Sequence, residues 1–381
     1  MAIRVFIRSG PPLGRVALLP TSRGIFVQKV TVQRSPFGRL ADGAQVDAFT
    51  LELAGAARVR VSAYGGAVLS ILVPDRDGRM GDVVLGFDTL DGYVADDSYQ
   101  GALIGRSGNR IARGRFALDG HEYSLRINNG PNHLHGGPEG FHKRLWDAEE
   151  VRTAEGAGVR LRLTSPDGDQ GYPGTVDATV TYLLTEQGAL RVEYDAVTDA
   201  PTPVNLTQHT YWNLSADPRR DILGHRLRLD ADRITPVDAE LIPTGELMPV
   251  AGTPFDFAAP QSIGARVDGD DEQLRHAGGY DHNFVLRGAG GGLAMAARVH
   301  EPESGRVLEV HTTQPGIQFY SGNFLDGSIV GKQGIAYGRR TGLCLEPQGF
   351  PDAPNHPGFP STILRPGERY SSLIVYRFAV E

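Results

Sequence analysis

The feature that most constrains the fold of this 381-residue chain is its density of tight-turn signals. Asp-Gly pairs favour the turns of β-hairpins. They begin at Asp42, Asp77, Asp91, Asp119, Asp167, Asp268 and Asp326. Between them lie short alternating runs such as residues 57–64, 178–183 and 306–310, a pattern typical of half-buried strands. No apolar repeat of helical period extends beyond about two turns, and short helical turns are expected only at Asp91 to Ser98 and Pro260 to Ile263. The chain is therefore predicted to be all-β, a large antiparallel sandwich or barrel.

The N-terminal region has a composition unlike that of the remaining chain. Residues 1–41 contain no acidic residue, but they contain six arginines and one lysine. We expect residues 1–36 to be a poorly ordered extension, with a targeting segment or an over-long start as alternatives. No stretch within residues 45–380 has the composition of a linker. We therefore expect residues 37–381 to form one domain.

Composition and charge argue against several classes of protein. The net charge of −7 and the pI near 5.9 argue against a nucleic-acid partner, which usually requires a basic surface. No apolar run approaches the roughly 18 residues that span a bilayer. Cys344 is the single cysteine, so no intrachain disulfide can form. We expect a cytoplasmic protein that works as a monomer or homodimer.

One stretch, residues 205–214, has a composition that suits a sugar-binding surface. At the two-residue period of a strand, one face carries only polar side chains or tyrosine. These are Asn205, Thr207, His209, Tyr211 and Asn213. Amides and hydroxyls around a single titratable histidine suit a polyhydroxylated ligand. We expect the neighbours of His209 to hold its imidazole in place rather than to contact the sugar.

Two glycine-rich segments add hydrogen-bonding groups. Residues 105–111 contain Asn109 and Arg110 between glycines that allow close backbone approach, and they lack the ending of a phosphate-binding P-loop. Residues 132–137 contain His133 and His135. A His-x-His pair can ligate zinc, but no third ligand stands nearby in the sequence. We therefore predict hydrogen bonding by His135 and no metal.

Three further polar residues stand out, two of them beside apolar sequence. Asp281 begins a run that becomes apolar at Phe284, and Glu346 lies within the apolar run 343–347. A buried carboxylate is costly unless it is partnered or functional, and burial raises its pKa toward the range of a general base. Gln314 adds an amide near a chain reversal. Aromatic surfaces for stacking are expected from Tyr211, Phe284, Phe319 and Tyr320.

These residues indicate proton transfer on a sugar-like ligand, with no cofactor. There is no nucleophilic Ser or Cys motif, no dinucleotide fingerprint and no phosphate loop. A neighbouring carboxylate such as Asp281 is expected to raise the pKa of His209. A bell-shaped rate profile follows from one acid and one base.

Six motifs, taken in order, resemble those of the aldose 1-epimerase family, also called the galactose mutarotase family. They are Asn-Arg-Ile (109–111), Leu-His-Gly-Gly (134–137), Asn-Leu-Thr-x-His-x-Tyr-x-Asn-Leu (205–214), Asp-His-Asn-Phe (281–284), Thr-Gln-Pro-Gly (313–316) and Leu-Glu-Pro-Gln (345–348). The resemblance runs from about Phe37 to Phe378. It implies the large, mainly antiparallel β-sandwich of that family, and interconversion of the α and β anomers of free aldohexoses such as galactose and glucose.

The resemblance also implies roles for individual residues. His209 would protonate the ring oxygen and Glu346 would take the proton of the C1 hydroxyl. The substrate-binding positions would be Asn109, Arg110, His135, Asp281 and Gln314. Gln208 stands where many members carry Asn, and little consequence is expected because it faces away from His209.

Three other functions stay open at this point. A hexose 6-phosphate epimerase would need two or three further Arg or Lys around the phosphate. A glycosidase would need two carboxylates across the scissile bond, for which Asp281 and Glu346 are candidates, but His209 would then have no role. A sugar-binding module without catalysis would not need both His209 and Glu346.

Overall fold

The computed structural model describes residues 29–288 and 292–381. Within these ranges the chain forms twenty-eight strands and two short α-helices, α1 (Leu90–Ala95) and α2 (Glu272–Ala277). The strands of the first half are β1 (Thr31–Arg39), β2 (Gln45–Leu53), β3 (Ala57–Ser62), β4 (Val68–Pro74), β5 (Met80–Asp82), β6 (Ala102–Ile104), β7 (Arg110–Ile111), β8 (Arg115–Leu118), β9 (His121–Ser124), β10 (His133–Leu134), β11 (Asp147–Arg152), β12 (Gly156–Ser165), β13 (Val176–Thr185) and β14 (Leu190–Thr198). Those of the second half are β15 (Thr202–Pro203), β16 (Thr207–His209), β17 (Tyr211–Trp212), β18 (Arg226–Leu229), β19 (Ala231–Thr235), β20 (Met248–Pro249), β21 (Gln261–Ser262), β22 (Asp281–Leu286), β23 (Ala294–His300), β24 (Arg306–Thr312), β25 (Gly316–Tyr320), β26 (Leu343–Gln348), β27 (Ile363–Leu364) and β28 (Tyr370–Val380).

Three large antiparallel sheets dominate the architecture. Their strand orders are β1-β2-β3-β4-β5, β11-β12-β13-β14-β28-β24-β23-β18-β21 and β17-β26-β25-β22-β19-β20. Four two-stranded pairs complete it: β10-β7, β15-β27, β16-β6 and β8-β9. The prediction of an all-β, mainly antiparallel fold is confirmed.

One main hydrophobic core joins the three sheets. Phe49 comes from the five-stranded sheet, Val192 and Ile374 from the nine-stranded sheet, and Phe319 and Leu345 from the six-stranded sheet, and all are almost fully buried. Strand β14 alternates buried and partly exposed residues along its first seven positions. One face of each large sheet therefore packs inward, as a sandwich requires.

The Asp-Gly pairs do not all form hairpin turns. Asp119 and Gly120 join β8 to β9 with φ of +50° and +82°, the positive values that a tight two-residue hairpin turn needs. Asp91, however, lies in the first turn of α1, where a carboxylate interacts favourably with the helix dipole. The expectation of short helical structure between Asp91 and Ser98 is met by α1.

The first strand begins earlier than the sequence indicated. β1 starts at Thr31 and pairs with β2 along its length, so the predicted extension 1–36 includes six residues of this sheet. Arg34 is exposed on this edge strand and its Nε donates to the Asp47 carboxylate at 2.6 Å. An edge strand with exposed arginines was misread as a disordered tail. Residues 1–28 of the predicted extension lie outside the described residues.

Neither α-helix exceeds six residues. In the described part of the chain, no helix has the length and apolarity needed to cross a membrane.

Candidate active site

A cleft of about 530 Å³ opens where the six-stranded sheet meets β7, β10 and β16. This volume is within the range of small-molecule sites. Among the predicted site residues, the cleft is lined by His209, Glu346, Asn109, Arg110, His135 and Asp281. Segments far apart in the sequence thus converge on one cavity.

His209 reaches the cleft because the predicted single strand 205–214 is split in two. His209 ends β16 and pairs with Ala102 of β6, whereas Tyr211 begins β17 and pairs with Cys344 of β26. Since side chains alternate along a strand, Glu346 shares a face with Cys344 two residues before it. The sheet change at Thr210 therefore places His209 next to Glu346. Their nearest atoms, His209 Nε2 and Glu346 Oε1, are 3.7 Å apart.

The polar row beside His209 does not act as one surface. Tyr211 lines the cleft and its ring centroid lies 5.1 Å from that of His209. Asn205 instead binds the backbone of Gly349, accepting its N–H at 2.8 Å. Asn213 donates to the Thr341 carbonyl at 2.8 Å. Gln208 faces away from the cleft, as expected, and donates to the Gly101 carbonyl.

Burial disfavours charge on both members of the central pair. His209 is 5% exposed and Glu346 is 2% exposed. Burial lowers the pKa of His209 to about 4 and raises the pKa of Glu346 well above its usual range, with Asp281 adding to the rise and Arg110 opposing it. The expectation that Asp281 raises the pKa of His209 is wrong, because desolvation outweighs any nearby carboxylate. Burial of the pair therefore favours the neutral imidazole and the neutral carboxyl group over their charged forms.

One carboxylate oxygen of Glu346, Oε2, has no hydrogen-bond partner among the described residues. It is buried, and an unpaired buried carboxylate oxygen is costly. This unpartnered oxygen adds to the cost of a charge on Glu346, in agreement with the rise in its pKa.

His135 presents a fixed hydrogen-bond donor. The backbone N–H of Asn109 donates to His135 Nδ1 at 3.1 Å. Burial holds the pKa of His135 well below its ordinary value of 6.5, so the ring is neutral. Because Nδ1 accepts this bond, we assign the single ring proton to Nε2.

Asn109 and Arg110 form the cationic wall of the cleft. Asn109 adopts a φ of +59°, which Asn tolerates better than most residues, and its side-chain oxygen accepts the Arg110 N–H at 2.8 Å. Arg110 Nε donates to Asn129 Oδ1 at 3.0 Å. The remaining guanidinium donors are available to sugar oxygens.

Asp281 is held by an amide that the sequence reasoning missed. Gln318 Nε2 donates to Asp281 Oδ1 at 2.7 Å, and Gln318 Oε1 accepts from Gln348 at 3.1 Å. Burial raises the pKa of Asp281, while Arg110 and Gln318 lower it. Gln318 lines the cleft and pairs with Glu346 in the register of β25 and β26. A glutamine between Ile317 and Phe319 was the available signal.

Gln314 does not lie in the cleft, contrary to the prediction. Its side chain donates to Tyr370 Oη at 2.7 Å and Ser372 Oγ at 2.9 Å. It precedes β25, which starts at Gly316, whereas Gln318 lies two residues inside that strand. The motif thus identified the right strand but the wrong amide.

Aromatic residues surround the entrance, but only two of the four expected ones. Tyr211 and Tyr320 line the cleft, joined by Tyr99 and the 59% exposed Phe324, which no sequence signal singled out. The other two, Phe284 and Phe319, lie in the core with exposures of 1% and 0%. Phe319 directly follows the cleft residue Gln318, and Phe284 lies three residues after Asp281, so both point to the opposite face of the sheet.

One set of side chains resembles a metal site in composition. Possible ligand atoms of His135, His209 and Glu346 all lie within 4.8 Å of one another. The hydrogen bond from Asn109 leaves His135 with a proton on Nε2, and a protonated nitrogen cannot bind a metal. The donor set therefore fits hydrogen bonding to a sugar better than metal binding.

Comparison with known proteins identifies the family. The profile described as Aldose 1-epimerase matches residues 47–377. The galactose mutarotase of Bos taurus is 47% identical over 352 residues, covering 92% of this chain and 99% of the relative. The aldose 1-epimerase of Escherichia coli K12 is 41% identical over 342 residues, with 89% and 97% coverage.

Solved structures agree. The galactose 1-epimerase of Lactobacillus acidophilus superposes with a TM-score of 0.81 at 29% identity, covering 92% of this chain and 99% of that one. An aldose epimerase homologue from C. elegans gives 0.76 at 33% identity, with 86% and 97% coverage. Sequence, fold and cleft together place this chain in the aldose 1-epimerase family.

Proposed function

We propose that this cleft interconverts the anomers of free aldohexoses such as galactose and glucose, with His209 as the acid and Glu346 as the base. The observation that carries the proposal is the buried pair itself, with Nε2 and Oε1 3.7 Å apart in a polar cleft. An acid and a base at that separation can serve the ring oxygen and the C1 hydroxyl, which share a carbon. Family membership supports anomer interconversion as the reaction.

The reaction requires one proton on the pair at every stage. With His209 protonated and Glu346 ionised, Glu346 takes the C1 hydroxyl proton while His209 gives one to the ring oxygen. The C1–ring oxygen bond breaks and the aldehyde forms. Rotation about C1–C2 and the reverse transfers close the ring on the other face. No net proton is gained or lost.

Burial of the pair favours the ring-opening step. Ring opening converts a charged pair into a neutral imidazole and a neutral carboxyl group, the state that desolvation favours. Arg110 opposes the rise in the pKa of Glu346 and so supports the charged state needed at the start. Desolvation and Arg110 thus act on the pKa of Glu346 in opposite directions.

We propose that Arg110, His135 and Asp281 bind sugar hydroxyls, with Asn109 orienting the first two. His135 Nε2 and Arg110 supply donors, and the Asp281 carboxylate supplies an acceptor. Gln318 holds Asp281 and lines the cleft, so we place it in this group instead of Gln314. Galactose is the first sugar to test, because it is in the name of the relatives at 47% identity.

The cleft does not favour a phosphorylated hexose. Arg110 is its one Arg or Lys among the described lining residues, against the carboxylates Asp97, Glu240, Asp281 and Glu346. A phosphate group would therefore meet mainly negative charge.

The test is anomer exchange on a panel of free aldoses, followed by polarimetry, with sugar binding measured by calorimetry on the same sample. We expect both binding and exchange. Binding without exchange would indicate a sugar-binding protein and contradict the proposal.

Two further proposals follow from the sequence reasoning, a cytoplasmic location and a monomeric or homodimeric state. Cell fractionation and light scattering test them.

A further inference from the structure

The segment that follows the Glu346 strand returns to the cationic wall of the cleft. Strand β26 ends at Gln348, and the chain turns through Asp352 into a 3-10 turn, Ala353–Asn355. The Asp352 side chain is only 2% exposed, and Asp352 is not among the residues that line the cleft. Its Oδ2 lies 3.2 Å from His356 Nε2, and its Oδ1 and backbone N–H bind elsewhere.

Asp352 grips the backbone on both sides of Ile111. Its N–H donates to the Arg110 carbonyl at 2.9 Å, and its Oδ1 accepts the Ala112 N–H at 3.0 Å. The same oxygen accepts from Asn355 Nδ2 at 2.6 Å, and Asn355 Nδ2 also donates to the Arg115 carbonyl at 2.9 Å. These bonds tie the segment after β26 to the β7 region.

The strand that carries Arg110 depends on this support. β7 has two residues and pairs only with the two residues of β10 among the described strands. A ladder of two residue pairs does little to fix a strand. The Asp352 bonds are made to the Arg110 carbonyl and to the Ala112 N–H. Ala112 lies after the two residues of β7 that pair with β10.

We propose that Asp352 is a positioning residue that fixes Arg110 in the cleft relative to Glu346. The geometry supports this because Asp352 lies six residues after Glu346 and grips the residues at and after Arg110. The inference rests on the proposed role of Arg110 in binding sugar. It predicts that Asp352 acts on the reaction through Arg110 and through no contact of its own.

The backbone of Asp352 allows two well-matched variants. Its φ is +55°, a value that Gly and Asn both tolerate. Asp352→Asn keeps an oxygen for the Ala112 N–H, and Asp352→Gly removes it. We expect Asp352→Gly to lower kcat/KM on the order of 10–100-fold, mainly through KM, since a small displacement of a binding group has effects of that size. Asp352→Asn should stay within about threefold of the wild type.

A double-mutant cycle with Arg110→Ala separates positioning from general destabilisation. If Asp352 acts through Arg110, Asp352→Gly changes kcat/KM by less than about threefold once Arg110 is alanine. The matched control is Asp75→Ala, because Asp75 also accepts two backbone N–H bonds at 2.9 Å, from Asp77 and Arg79, in a turn outside the cleft. This control should lower the melting temperature while kcat/KM stays unchanged.

Three results would overturn the inference. The first is an Asp352→Gly enzyme within threefold of wild type, and the second is a double variant in which the two losses multiply. The third is an Arg110→Ala enzyme with unchanged KM, which would refute the proposed sugar-binding role of Arg110 as well. Should Asp352→Gly not fold, Asn355→Ala removes one bond to Asp352 Oδ1 and should give a smaller rise in KM. An unchanged KM in that variant would equally count against positioning.

Discussion

Replacing Glu346 with glutamine removes the proposed base while it keeps the volume of the side chain. General base catalysis contributes about 10²–10⁴-fold, and each factor of ten corresponds to about 1.36 kcal/mol of activation free energy. Glu346 is the carboxylate next to His209, at 3.7 Å, whereas the Asp281 carboxylate in the same cleft accepts a hydrogen bond from Gln318. We expect kcat for galactose anomer exchange to decrease by about 10²–10⁴-fold, which corresponds to a rise of about 2.7–5.4 kcal/mol in activation free energy.

The same substitution has a predicted effect on stability with a defined sign. Burial raises the pKa of Glu346 above its ordinary value of 4.5, so the folded protein holds this proton more tightly than the unfolded chain does. As pH rises above about 4.5 the unfolded chain loses the proton first, and folding becomes less favourable. Glutamine has no proton to lose at this position. The melting temperature of Glu346→Gln should therefore exceed that of the wild type by a margin that grows with pH above 4.5.

Polarimetry and thermal unfolding of one preparation test both halves of this prediction. Asp75→Ala serves as the control that changes stability without touching the cleft. A Glu346→Gln enzyme with kcat within tenfold of wild type would refute the catalytic role. A melting temperature that falls further below wild type as pH rises would refute the assigned direction of the pKa.

Three shorter predictions follow from the site. Gln318→Ala should raise KM about tenfold because its hydrogen bond to Asp281 is lost, whereas Gln314→Ala should leave KM within twofold of the wild type. Equal effects of the two substitutions on the steady-state KM would contradict the placement of these amides. The pH profile of kcat/KM should be flat between about pH 4 and the raised pKa of Glu346, because below pH 4 His209 becomes protonated and the pair then holds two protons. A fall in kcat/KM on the acid side near pH ~6.5, the pKa of an unperturbed histidine, would contradict the effect of burial. Arg110→Lys should raise KM for galactose on the order of tenfold because a bidentate planar donor is lost, and an unchanged KM would rule out that contact.

The sequence predicted the fold class well because its signals were local. Turn dipeptides and two-residue alternation depend on neighbouring residues, and they identified hairpins such as β8–β9. The same local reading missed the start of β1 at Thr31, because an exposed edge strand with arginines has the composition of a tail. The Asp-Gly pair at Asp91 lies in α1 instead of in a hairpin turn, since one dipeptide suits both structures.

The sequence identified most residues of the candidate site by their chemistry, but it did not predict how they are arranged in space. Glu346 stood out because a carboxylate in an apolar strand is costly, and His209 stood out as the titratable residue in a row of polar side chains. The structure brings the two together. The sheet change at Thr210 and the split of residues 205–214 depend on pairing with β6 and β26, which one strand cannot reveal. Gln318 was missed because its value lies in facing Glu346 across two strands, a long-range relation. The pKa of His209 was predicted in the wrong direction because burial is a property of the assembled cleft.

The most direct test of the account is magnetisation-transfer NMR on the C1 protons of α- and β-galactose at equilibrium. This measurement follows anomer exchange itself and needs no coupling enzyme. The account predicts exchange well above the spontaneous rate with the wild-type protein. It predicts exchange close to the spontaneous rate with His209→Asn at the same concentration and with intact fold. Exchange at the spontaneous rate with the wild type, or undiminished exchange with His209→Asn, would contradict it.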